Sequence, residues 1–301
     1  MSKSPEPRRT LLPPSDRRRL IVFFALSFGW TWALWIPGLL RASATGAPLP
    51  TLDQGLVAWR GLAAVDLAYA VAFQLAVYGP ALAALVVLAR QPRPALADWA
   101  RSLVRFGVGV RWYAFVFGAP VALALALVGI AVLTGSGAPT WSALPAWPLL
   151  LWWFVAQVAT SGLEEPGWRG FALPLLQRSY TAERANWLLG FVWAAWHLPF
   201  VLYLYRDLPL AALPLLLAGF AMSIVAMGFV HAWVFNSTGS VALNVLLHGW
   251  ANVATGVVAL LVVSPIVPLA TAGITWLFVA WLLRRYGGAT LRVPATASER
   301  A

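Results

Sequence analysis

Long apolar stretches recur along the whole chain and are separated by short polar or charged segments. An apolar stretch of about eighteen residues or more is typical of a transmembrane helix, since roughly 20 residues cross the hydrocarbon core of a bilayer. Eight such stretches are present, more than a signal peptide explains. The predicted spans are 20–40, 68–90, 112–134, 146–163, 185–205, 209–235, 240–262 and 265–283.

Arginine is distributed unevenly between the connections. It concentrates before the first span, between spans two and three, after span four and after span eight, and it is scarce in the alternate connections. Positive residues remain on the cytoplasmic side of a membrane. We therefore predict an all-α, polytopic membrane helix bundle of about eight transmembrane helices, with cytoplasmic N- and C-termini. The expected location is the bacterial cell membrane.

Composition supports this class of protein and excludes others. The chain is 61% hydrophobic and 10% charged, whereas a soluble domain has about 25% charged residues. The net charge of +11 comes largely from tails and loops, so orientation in the bilayer explains it and no nucleic-acid partner is expected. Without cysteine, disulfides, Cys-ligated zinc and a cysteine nucleophile are excluded. Residues 1–19 and 286–301 are predicted to be disordered tails.

Two adjacent carboxylates, Glu164 and Glu165, follow the fourth predicted span. Ionisable residues at membrane depth are costly and usually face a protein interior or a water-filled cavity. Glu165 and Arg169 have the i, i+4 spacing of a helical ion pair, which explains one carboxylate and leaves Glu164 without a partner. Pro166 predicts a break in the helix, with a new helix opening at this residue.

Two of the three histidines reach a similar depth. His197 lies about twelve residues into span five and His248 about nine residues into span seven, which correspond to depths of roughly 18 and 13 Å from the cytoplasmic side. Glu164 belongs to the same half of the bilayer. His231 lies near the end of span six, where an interfacial histidine is the better interpretation.

Polar or amphipathic residues share the helix faces of these two histidines. Trp193 precedes His197 by four residues, while Asn244 and Asn252 flank His248 at the same interval. Such a polar stripe must face inward in a membrane. Each residue alone is explained by helix–helix hydrogen bonding. Taken together, four residues favour a site: Glu164, His197, His248 and Asn252.

This set permits hydrolytic chemistry. A glutamate and a histidine can activate water, and a second histidine with an asparagine amide can donate hydrogen bonds to a developing oxyanion. Such a site would hydrolyse an amide or an ester. No nucleophile is clearly coupled to a base, which disfavours a covalent intermediate. Glu164, His197 and His248 could instead bind zinc, although the chain has no HExxH motif.

The order of the polar residues resembles the CPBP family, which comprises intramembrane CAAX-type endoproteases and bacteriocin-processing or immunity proteins. The resemblance covers roughly 145–260. Three motifs carry it: Glu164-Glu165-x-x-x-Arg169, Trp193-x-x-x-His197 and His248-x-x-x-Asn252. Each motif alone is weak, but the three in order are a specific signal.

The resemblance implies an intramembrane endopeptidase acting on a membrane-associated or lipidated protein or peptide. It implies a catalytic core over 141–285, preceded by transmembrane helices over 20–140, and a cavity open to the cytoplasm. Glu164 and His197 would activate water, with zinc an option that is not required. His248 and Asn252 would stabilise the oxyanion. The supporting residues would be Glu165, Arg169, Trp193 and Asn244.

Two other functions are compatible with features of this sequence. A non-proteolytic membrane partner or bacteriocin-immunity protein could carry every motif on the same scaffold. A transporter could use Glu and His as a proton relay, but the internal repeat expected of many transporters is absent. Two departures from the family pattern also stand out: Trp193 replaces the usual Phe, and Pro166-Gly167 replaces helix-compatible residues.

Overall fold

The computed structural model describes residues 12–46, 64–264 and 266–294, which are helical and contain no strand. Short 3₁₀ helices precede α6, α7 and α11, and a π-helical turn, Trp168–Ala172, separates α7 from α8. The α-helices are α1 (Pro14–Thr45), α2 (Ala64–Ala76), α3 (Gly79–Leu88), α4 (Arg93–Leu103), α5 (Val110–Leu133), α6 (Trp147–Ala159), α7 (Glu165–Gly167), α8 (Leu173–Leu176), α9 (Ala182–Trp196), α10 (Leu198–Leu204), α11 (Leu213–Thr238), α12 (Val241–Leu261) and α13 (Ile266–Tyr286).

Within the described part of the chain, five helices are long and apolar enough to cross a membrane, namely α1, α5, α11, α12 and α13. The pairs α2–α3 and α9–α10 are bent by 50° and 56°, and counting each as one span raises the number to seven. The remaining predicted span, 146–163, forms α6, whose 13 residues fall short of the roughly 20 needed to cross. The predicted polytopic helical bundle is confirmed.

The helices extend into both segments predicted to be disordered tails. Helix α1 begins at Pro14, where proline is compatible with the first helical turn; residues 1–11 lie outside the described part. At the other end, the backbone N–H of Ala182 donates to the carbonyl of Ala289 at 2.9 Å. Leu291 is fully buried. The chain therefore packs against the bundle beyond α13, and residues 295–301 lie outside the described part.

The start of α1 and the end of α13 lie at the same end of the bundle. Asp16 pairs with Arg178, which follows α8, at 3.4 Å, and the nearby start of α9 contacts the segment after α13. The assignment of this end to the cytoplasm stays a prediction from the arginine distribution.

Helix α12 is the most buried of the five long helices. The buried share of its most apolar stretch is 61%, against 11% for α11 and α13. A close approach to α6 contributes, since a Cβ at Gly249 would lie 3.0 Å from Val158. Several large apolar side chains on other elements are exposed, as expected of lipid-facing surfaces; these include Leu133, Leu215, Val263 and Leu277. The buried face of α12, which carries Asn244 and His248, thus packs against protein.

Candidate active site

The two adjacent glutamates lie on a segment where the helix type changes at every turn. A 3₁₀ turn, Ser161–Glu164, is followed by α7, the π-helical turn and α8. The helix breaks at Thr160, whose φ and ψ are −117° and −97°, earlier than predicted, and α7 opens at Glu165, one residue before Pro166. Pro166 cannot donate a backbone hydrogen bond, and a Cβ at Gly167 would clash with the backbone of Pro80. Such irregular turns are frequent at functional sites.

The side chain of Glu164 is buried and bound by neutral donors. It is 3% exposed. Its Oε2 accepts hydrogen bonds from the indole Nε1 of Trp193 at 2.8 Å and of Trp168 at 3.2 Å. Oε1 takes part in neither bond. This carboxylate therefore has one oxygen positioned by two indoles and a second oxygen left for another partner.

The side chain of Glu165 is fully buried among cationic and imidazole groups. Its Oε1 accepts from Arg169 Nη1 at 3.0 Å and from His248 Nδ1 at 2.9 Å. The Arg169 guanidinium also lies 4.3 Å from the centre of the Trp193 ring, a cation–π contact. The predicted Glu165–Arg169 ion pair is present. Because Nδ1–H of His248 donates its hydrogen bond to Glu165, the Nε2 atom of this histidine is left for other partners.

The interpretation of His231 as an interfacial residue is wrong, because the side chain is 1% exposed. Its Nδ1 lies 2.9 Å from Asn244 Oδ1 and 3.6 Å from Glu165 Oε2. Helices α11 and α12 are joined by a tight turn at Gly239, whose φ is 64°. His231 precedes this turn by eight residues and Asn244 follows it by five. These short intervals on two helices joined by one turn were the signal in the sequence that could have paired His231 with Asn244.

His197 lies at the bend between α9 and α10. Its Nδ1 is 2.8 Å from the carbonyl oxygen of Trp193, an acceptor that requires a proton on Nδ1 and leaves Nε2 as the free nitrogen. The ring centre lies 4.7 Å from that of Trp196 and 5.7 Å from that of Phe220. The imidazole is thus oriented by one backbone bond within an aromatic surrounding.

Trp193 connects the predicted residues in space. Its indole donates to Glu164 while its carbonyl accepts from His197. Its ring centre lies 5.8 Å from that of His248 and 6.2 Å from that of His231. The side chains of α9, α11, α12 and the irregular segment therefore meet around one tryptophan.

Asn252 lies one helical turn after His248 and contacts a residue absent from the predicted set. Its Nδ2 donates to Gln157 Oε1 at 3.0 Å, and the Ser161 hydroxyl donates to the same oxygen at 2.5 Å. An amide nitrogen carries two hydrogens, so Asn252 retains a second donor. Gln157 is a polar residue on the otherwise apolar helix α6, and this contrast could have identified it from the sequence.

The zinc ligand set expected from the sequence is not the group that the structure brings together. Among the described residues, the potential ligand atoms that approach within 4.8 Å of one another belong to Glu165, His231 and His248. Glu165 already accepts a bond from the Arg169 guanidinium, and a divalent ion there would face a like charge. This group fits a hydrogen-bonded network in which Arg169 supplies the positive charge.

The sequence around this site matches a known family model. Residues 145–254 match the family model described as Type II CAAX prenyl endopeptidase Rce1-like. This segment includes all the motif residues. The resemblance to the CPBP and CAAX protease family is therefore confirmed for this segment.

The chain is also similar to an individual relative. Over 75 residues it is 35% identical to CAAX prenyl protease 2 of Methanococcus maripaludis, an alignment that covers 24% of this chain and 27% of the relative. The chain thus matches about a quarter of the length of that curated protein.

Proposed function

We propose that the protein is an intramembrane endopeptidase that hydrolyses a peptide bond of a membrane-associated or lipidated protein or peptide. The supporting observation is the convergence around Trp193, which hydrogen-bonds Glu164 and His197 and lies against His248. The family match and the relative's name, a prenyl protease, support a prenylated C-terminal peptide as the first substrate to test.

Water activation is assigned to Glu164 and His197. Glu164 has an oxygen outside its two indole bonds, and the carboxylate can accept a proton from water. The Trp193 carbonyl holds the Nδ1 proton of His197, so the Nε2 lone pair is available for the same water. In this proposal, the activated water attacks the carbonyl carbon, the carbon–nitrogen bond of the peptide then breaks, and the proton that the water loses passes to the leaving amine.

Oxyanion stabilisation is assigned to His248 and Asn252. Asn252 can donate through its second amide hydrogen. His248 donates through Nε2 when both ring nitrogens carry protons, and the Glu165 carboxylate provides the counter-charge for that form. Glu165 and Arg169 are positioning residues, because each acts through a residue that would contact the substrate. No cofactor is required in this scheme, because the Arg169 guanidinium supplies the positive charge beside Glu165.

The proposed setting is the cell membrane of a bacterium, with the substrate reaching the site from the surrounding lipid. The exposed apolar side chains of α1, α3 and α5 support contact with lipid. A non-proteolytic partner or immunity protein on this scaffold would keep the buried network but would cleave no peptide.

The test uses the purified full chain in lipid vesicles with prenylated and unprenylated fluorogenic peptides. We expect cleavage by the wild type, loss of cleavage in Glu164→Gln and His248→Ala, and retained cleavage in Asp98→Asn, which changes an exposed carboxylate outside the site. A chelator arm examines zinc, and we expect unchanged rates. Equal cleavage by the wild type and both site variants would overturn the proposal.

A further inference from the structure

A cleft of about 310 Å³ lies between the start of α1 and the end of α3, apart from the candidate active site. Three arginines line it: Arg18 and Arg19 on α1, and Arg90 just after α3. Ser15 and Gln91 add neutral polar groups. Segments from two parts of the chain thus bring three arginines to the border of one largely apolar cleft.

The charge of this cleft is only partly neutralised. Arg19 pairs with Asp16 at 3.1 Å, and the same carboxylate pairs with Arg178 at 3.4 Å. Across the described residues, the guanidinium groups of Arg18 and Arg90 have no ion-pair partner. The one acidic group beside the cleft is therefore shared by two arginines, and two further positive charges remain for a ligand.

The cleft opens where charged and apolar surfaces meet. Val22 and Val87 line its apolar side. The preceding residues on the same helices, Ile21 and Val86, are 59% and 40% exposed, as expected of side chains that contact lipid. A ligand here would have an anionic group among the arginines and an apolar part along α1 and α3.

We propose that this cleft binds the phosphate group of an anionic lipid. Guanidinium groups form strong, directional hydrogen bonds with phosphate oxygens. Free phosphate shares that chemistry, but it would make no use of the valines or of the exposed apolar surface beside them. The structure therefore favours a lipid headgroup as the source of the phosphate.

The test is native mass spectrometry of the full-length protein in detergent with added phosphatidylglycerol or phosphatidylcholine. The cleft variant is Arg18→Gln/Arg90→Gln. The matched control is Arg284→Gln/Arg285→Gln, which removes the same charge from the exposed end of α13, at the same end of the bundle. We expect the cleft variant to lose bound phosphatidylglycerol by about tenfold, and the control to retain it.

Each other outcome has a defined meaning. Equal losses in the two variants would show attraction to overall charge and overturn the site. Equal binding of phosphatidylcholine and phosphatidylglycerol would also overturn it. Inorganic phosphate is added as a competitor, and its binding in place of the lipid would overturn the lipid source. Because all four substituted arginines are exposed, we expect the variants and the wild type to have matching elution and melting temperature.

Discussion

Glu164 and Glu165 are neighbours in the chain and both are buried, yet the groups that surround them differ in charge. Glu164 accepts bonds from two neutral indoles, through one of its oxygens. Glu165 faces Arg169, His248 and His231. A buried carboxylate paired with a cation is held in place as part of the structure. This difference is the basis of the proposed division between the two carboxylates, in which Glu164 takes part in the chemistry and Glu165 positions His248.

The largest expected effect is on the cleavage rate, and it tests the proposed chemical role of Glu164. Glu164→Gln keeps the size of the side chain and removes its ability to accept a proton. We expect the cleavage rate to fall by about 10²–10⁴-fold, the usual contribution of a general base, with little change in melting temperature. Peptide cleavage and thermal denaturation are measured on the same preparation, with Asp98→Asn as the control. A variant with wild-type activity would contradict the assignment.

The variant Glu165→Gln tests the contribution of Glu165 to the stability of the protein. This change leaves Arg169 and His248 buried without a counter-charge, and breaking a buried pair in this way costs roughly 3–5 kcal/mol of stability. We expect a marked decrease in melting temperature in detergent. Glu164→Gln is the matched comparison, since it removes a buried carboxylate from the adjacent position. If the two variants melted at the same temperature, the proposed division between the carboxylates would be wrong.

A smaller effect on activity is expected at Trp193, which contacts both Glu164 and the groups around Glu165. Trp193→Phe retains an aromatic ring and the backbone carbonyl that contacts His197, but it removes the indole donor to Glu164. Losing one such hydrogen bond costs about 1–3 kcal/mol, and we expect a decrease in kcat with a smaller change in KM. Trp281→Phe, at a tryptophan that is 47% exposed, is the control. An unchanged kcat would show that Trp193 does not position Glu164.

The smallest effect is expected at His231, on the Glu165 side of the comparison. His231→Leu fills a similar volume but removes the bond to Asn244, leaving a buried amide oxygen without its donor at a cost of about 1–3 kcal/mol. We expect a lower melting temperature and residual cleavage above that of Glu164→Gln. His231→Gln should recover part of the stability. Abolished cleavage in both folded variants would place His231 in the chemistry instead.

Much of the site was predictable because its residues conflict with their surroundings. Charged and polar side chains in apolar stretches must find partners, which identified Glu164, Glu165, Arg169, His248 and Asn252. The Glu165–Arg169 pair followed from helical spacing alone. His231 and Gln157 were harder to identify, since each is a single polar residue whose partner lies on another helix.

The sequence by itself determined the helical membrane class, the approximate position of every described span and the polar residues that are candidates for the site, because hydropathy and local spacing act within one segment of chain. The tertiary structure alone decided which distant residues meet: His248 with Glu165, His231 with Asn244, and Glu164 with Trp193. It also decided that α6 is short and that the chain packs against the bundle beyond α13. These outcomes depend on packing between helices that are distant in sequence, and no local pattern contains that information.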